Sequence, residues 1–326
     1  KKQINWFKAC KYNKINAIQE QIDLCQTNRD ETQFYVSRNN ENPNYPFEFC
    51  TKGFTGSMYA IIYENFQVLD LILQLEIQMQ TTINTFVPLT NPSRFQEPIT
   101  SNFQIQNLFQ ELNINFYAYI PSGSSILDLC IILEKPKMFQ YVMQFINEKL
   151  PPNAQDELLQ KQNKFGANSL MLIAKTSSNF IQVFKQQSKT LIETQFNFIN
   201  QLKQSPVSSA IQQQNVELFK FYISLAVQER YRQSMLNQLE HVKHIQQNKE
   251  IYKIYLNAFK HQFPKAPIWI KGSNSQNSDS KSTPLNAEKS MSSLLIGGNV
   301  DLSQVFSNEN SRNSTTVTSA DFVQLT

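Results

Sequence analysis

Residues 122–143 read SGSSILDLCIILEKPKMFQYVM, and their organisation decides the fold. Ser124 or Ser125 offers a hydroxyl that caps a helix running through Leu133. That helix is apolar almost throughout, with the small Cys130 near its middle. Pro136 suits the first turn of a second helix, where its missing N–H leaves no bond unmade. That second helix is amphipathic. The expected unit is a pair of short helices with an apolar face that only a neighbouring unit can cover.

The same design recurs along the chain. KGFTGSMYAIIYENFQVLDLIL (52–73), FGANSLMLIAKTSSNFIQVFK (165–185) and KQSPVSSAIQQQNVELFKFYI (203–223) align with it, and FKACKYNKINAIQEQI (7–22) fits the same frame. Each has a glycine or polar turn, a hydroxyl or amide cap, a short apolar helix, a polar break and an amphipathic helix. Residues 26–48 are polar and carry Pro43 and Pro46, which predicts a loop. Pro88, Pro92 and Pro98 exclude a continuous helix over 81–102, which reads as a second insertion, with helix returning at 103–112.

This frame resembles the ankyrin repeat. Gly53 and Thr55 with Ala60 match it, as do Gly123 and Ser125 with Cys130, Gly166 and Asn168 with Ala174, and Ser205-Pro206-Val207 with Ala210. LFQELNINFYAYIPSG (108–123) is similar to the family's repeat end, where a helix runs into an extended finger. Met58, Asp128, Met171 and Ser208 stand where the family has histidine, so its hydrogen bonds between adjacent turns are expected to be absent. The resemblance implies an all-α helical-repeat solenoid over 1–225 with insertions at about 26–48 and 81–102. A HEAT-like array of helix pairs is the other reading left open. Residues 226–271 are longer in period and more polar, as a C-terminal helical cap would be.

Composition narrows the function. Forty per cent of the chain is hydrophobic, enough for a sizeable core, and only seven glycines occur, too few for a glycine-rich nucleotide-binding fold. Residues 272–326 carry a net charge of −2, leaving +6 on the rest, too weak an excess to imply nucleic acid. Thirteen of those 55 residues are serine, so this stretch is expected to be disordered unless a partner orders it. Cys10, Cys25, Cys50 and Cys130 show no C-x-x-C spacing, which fits reduced thiols in an intracellular protein. No apolar run reaches the length of a membrane span.

No catalytic, cofactor or metal site emerges. Glu240, His241 and His244 share a helical face, but no cysteine stands near them in sequence to complete a zinc set. Gly297-Gly298 is followed by neither Lys-Ser nor Lys-Thr, so it is no phosphate loop. The expectation is a non-catalytic scaffold or structural subunit that binds other proteins in an intracellular assembly. A cytoskeletal or ciliary setting comes first and a mitochondrial one second. Two alternatives stand beside it: a regulatory portion of a signalling protein, and a nucleic-acid or membrane-surface binder acting through 226–262. The candidate contacts are basic residues Arg230, Arg232, Lys243 and Lys253, and the apolar islands Leu295, Ile296, Val305, Phe306 and Phe322.

Overall fold

A computed structural model describes residues 5–24, 29–39, 45–99, 102–239, 242 and 248–262. The tail from 272 onward, with its apolar islands, lies outside the described residues, as do Cys25, His241, Lys243 and His244.

The first pair is α1 (Trp6–Lys11) and α2 (Ile15–Gln19), followed by a 3-10 turn at Ile22–Leu24. Strands β1 (Tyr35–Arg38) and β2 (Phe47–Cys50) precede the second pair, α3 (Gly56–Ile62) and α4 (Phe66–Glu76). Next come β3 (Thr85–Leu89), α5 (Phe103–Glu111) and β4 (Phe116–Ile120). The third pair is α6 (Ile126–Ile132) and α7 (Pro136–Lys149), with α8 (Pro152–Leu159) after it. Then follow α9 (Ser169–Ile173) with α10 (Ser178–Gln187), α11 (Lys189–Gln195), and α12 (Pro206–Gln212) with α13 (Val216–Leu225). Helices α14 (Glu229–Leu239) and α15 (Lys249–Gln262) end the described chain.

The all-α expectation is wrong. The protein is mixed α/β, with β1 antiparallel to β2 and β3 antiparallel to β4. Nor do the described residues show a helical-repeat solenoid: the sheets and helices α5, α8 and α11 interrupt the helix pairs. Strands β1, β2 and β3 lie in or beside the segments read as loop and insertion, whereas β4 lies in 108–123, read as a helix running into an extended finger. Each is four or five residues long, too short for its alternation to register. Pro88, taken as a breaker, sits within β3 opposite Tyr117. In a two-stranded sheet every strand is an edge, and an edge tolerates a residue with no N–H.

Packing follows from composition. All seven residues of α3 and all seven of α6 are buried, as a helix that is apolar all round must be. The short helices touch in sequence, α1 to α3, α6, α9, α12 and α14. The amphipathic helices form a second row in which α7 meets α10, α10 meets α13 and α13 meets α15. Phe66 of α4 meets Tyr141 of α7 with ring centroids 5.6 Å apart.

Helix starts are built alike. Gly53, Gly123, Gly166 and Lys203 all take positive φ (83°, 77°, 70° and 62°), each two residues before a cap. The caps are Thr55, Ser125, Asn168 and Ser205, whose side chains accept the N–H of Met58, Asp128, Met171 and Ser208. In three of these helices the amide one residue before the capped one is met from a distance. The Ser57 N–H donates to Glu76 Oε2 at 2.6 Å, Leu170 to Gln195 Oε1 at 2.9 Å, and Val207 to Gln238 Oε1 at 3.1 Å. Each acceptor ends, or nearly ends, a later helix. A helix start buried without such partners would leave amides unsatisfied.

The expected loss of hydrogen bonds between adjacent turns also needs correcting at one place. Asp128 Oδ2 accepts its own cap's Ser125 N–H at 2.9 Å, while Oδ1 accepts the Ser169 hydroxyl at 2.7 Å. An aspartate thereby links α6 to α9 from the position where histidine was missed.

Candidate functional site

The two-row arrangement brings the exits of α3 and α6 side by side. Each short helix ends in an apolar residue, Tyr63 or Leu133, followed by a left-handed residue, Glu64 (φ 55°) or Glu134 (φ 47°). That turn reverses the chain into the longer helix. Strands β2 and β3 pack beside these exits and are tied by the buried Thr51 and Thr85 hydroxyls, 2.7 Å apart.

A cavity of about 80 Å³ opens between these four elements. Tyr45, Phe47 and Tyr63 face it together with Pro88, Leu89 and Lys135. The Tyr45 and Tyr63 rings are 5.2 Å apart, and Tyr63 stacks on Phe49 at 6.3 Å with planes 19° apart. Behind them Phe49 meets Tyr59 at 5.9 Å, and Tyr59 meets Phe7 of α1 at 5.8 Å. The wall is therefore the exposed end of a buried aromatic cluster, which holds it rigid. Polar groups mark the rim. Lys135 Nζ pairs with Glu64 Oε1 at 2.5 Å and lies 5.3 Å from the centre of the Tyr45 ring. The Tyr63 hydroxyl donates to the Phe47 carbonyl at 3.3 Å. Burial, then the charge of Glu64 and a hydrogen bond to it, push the Tyr45 phenol well above its ordinary range. Tyr45 therefore stays neutral, presenting an uncharged aromatic face. Aromatic faces and proline rings around one ion pair make a surface suited to apolar side chains.

Of the residues expected from sequence, Arg230, Arg232 and Lys253 are described, the first two on α14 and the third on α15. Arg230 pairs with Glu193 of α11 at 3.3 Å and covers the Tyr231 ring at 4.5 Å. Arg232 pairs with Glu229 at 2.6 Å and donates to the Val227 carbonyl at 3.2 Å. Lys253 is exposed on α15. Lys243, Leu295, Ile296, Val305, Phe306 and Phe322 lie outside the described residues. Among the described residues no group of three His, Cys, Asp or Glu side chains could hold a metal ion, and no helix is long and apolar enough to cross a membrane.

The groove residues were missed in the sequence because they come from four separated segments. One signal was present: Tyr45-Pro46-Phe47 alternates aromatic and proline inside a stretch read as loop. No protein-family model matches the chain, and no curated protein matches it in sequence.

Proposed function

We propose that this chain is a non-catalytic, protein-binding subunit of a larger assembly, and that it seats an extended, proline- or aliphatic-bearing segment of another protein in the groove at Tyr45, Tyr63, Pro88 and Leu89. The observation that carries this reading is the rigid aromatic wall ending in a cavity of about 80 Å³. That space is smaller than the ~150 Å³ of a cavity that takes benzene, so one small aliphatic or proline side chain fills it. Aromatic-lined grooves of this kind bind extended segments whose shape is already set, so little ordering entropy opposes binding. The paired Lys135 and Glu64 at the rim would orient the ligand's backbone or a flanking charge. The recurring cap-and-turn geometry supports kinship of the helix pairs with the ankyrin repeat, a module that binds other proteins.

The test is fluorescence polarisation against a set of short peptides with proline and aliphatic residues at varied positions. Tyr45→Ala and Leu89→Ser should each weaken the best peptide by about tenfold, or ~1.4 kcal/mol. Gln140→Ser, on the exposed face of α7, should leave it unchanged. Equal affinity across all four proteins would reject the groove as the site.

A further inference from the structure

The chain holds a lysine and a cysteine in contact across two elements. Lys11 ends α1 and is only 4% exposed, yet its ammonium reaches β2. There Nζ lies 3.0 Å from Cys50 Sγ, donates to the Phe49 carbonyl, and sits 4.4 Å from the centre of the Tyr59 ring. Three contacts on three groups fix the nitrogen against the sulfur. Cys50 itself is partly exposed, whereas Cys10 and Cys130 are buried. A small oxidant can reach the first and not the others. Peroxides oxidise a cysteine they can reach to a sulfenic acid, and a nitrogen already in contact with that sulfur is placed to capture it.

We propose that Lys11 and Cys50 form a peroxide-triggered covalent latch, in which oxidised Cys50 is captured by the Lys11 amine as an N–S sulfenamide joining α1 to β2. In the first step the Cys50 thiol and hydrogen peroxide give a sulfenic acid and one water; sulfur loses two electrons and the O–O bond is cleaved. In the second, Lys11 releases its extra proton to solvent and its nitrogen lone pair attacks the sulfenic sulfur. The S–O bond breaks, the N–S bond forms and a second water leaves. Excess thiol reverses the latch: two thiols return the free amine and the free Cys50 and become one disulfide. Sulfenic acids are known to condense with nitrogen in this way when one is in reach. Since Phe49 lies next to Cys50 and lines the aromatic groove, the bond would pin one of its walls. The chemistry stands whether or not the groove binds a peptide.

The experiment is peptide mass spectrometry of the full chain after brief treatment with dilute hydrogen peroxide. The expected product is a linked pair of peptides, one containing Lys11 and one Cys50, lighter by two hydrogens than their sum. It should be lost on treatment with dithiothreitol. Cys50→Ser should abolish it, and Lys11→Arg should instead leave a Cys50 sulfenic acid that dimedone traps. Dimedone trapping or further oxidation of Cys50 in the unaltered chain, with Lys11 unlinked, would overturn the proposal. The decisive arm uses the unaltered protein, so it does not depend on a variant folding.

Discussion

Replacing Glu76 tests how the buried helix starts are held. Its side chain is wholly buried at the end of α4, and Oε2 accepts the N–H of Ser57, itself buried in the first turn of α3. Glu76→Leu keeps the bulk but strands that amide, which costs about 1–3 kcal/mol because the donor stays buried with no partner. Glu76→Gln keeps an oxygen in place, and Gln195 and Gln238 do the same task for α9 and α12. It should stay within about 1 kcal/mol of the parent, since only a neutral hydrogen bond replaces a charge-assisted one. The two variants also differ in pH dependence. Burial raises the Glu76 carboxyl above its ordinary 4.5, against the opposing hydrogen bonds from Ser57, Thr55 and Gly56. A folded-state value raised in this way favours folding most at low pH, and the benefit is lost as pH rises through the folded value. The parent should therefore lose stability relative to Glu76→Gln as pH rises above the ordinary 4.5 and through the raised folded value. Asp128, raised chiefly by burial, adds a slope of the same sign in both proteins. Denaturant midpoints measured across that range give the comparison. A glutamine variant as unstable as the leucine one, or a parent-to-glutamine difference that is flat with pH, would refute the reasoning.

Two further substitutions probe the same framework by denaturant unfolding. A Cβ on Gly56 would stand 2.8 Å from both Cys10 Sγ and Trp6 Nε1, so Gly56→Ala should destabilise by about 1–3 kcal/mol through overpacking of the α1–α3 contact. Lys203 holds φ at 62° where its three counterparts are glycine, so Lys203→Gly should be neutral or stabilising, by up to about 1 kcal/mol, once left-handed strain is relieved. A loss above that size would mean the Lys203 side chain holds the turn.

What could be read in the sequence was local. The caps at Thr55, Ser125 and Ser205 and the proline start of α7 depend on residues within one or two turns, so pattern alone places them. The sheets depend on pairings such as Thr85 with Ile120, and nothing in TFVPL or FYAYI names its partner. Helices α8 and α11 went unread because each is short and begins beside the end of another helix. Glu76, Gln195 and Gln238 look like solvent-facing residues in sequence; they are buried because each meets an amide from a distant helix start. The groove is the extreme case, since it joins Tyr45, Tyr63, Leu89 and Lys135 only after both strands have packed against two helix exits. Arg230 and Arg232 were candidate contacts on composition alone; the pairing of Arg230 with Glu193 of α11 needs the packed structure to be seen, whereas Glu229 stands three residues from Arg232 in the sequence.

Site-specific photo-cross-linking inside cells tests the central claim most directly. A photoreactive residue in place of Leu89, at the mouth of the groove, should join one extended, proline- or aliphatic-bearing segment of another protein, and adding Tyr45→Ala should abolish that product. The same residue in place of Gln140 should not capture it. Cross-links that stay within this chain, or products identical from both positions, would contradict a partner seated in the aromatic groove.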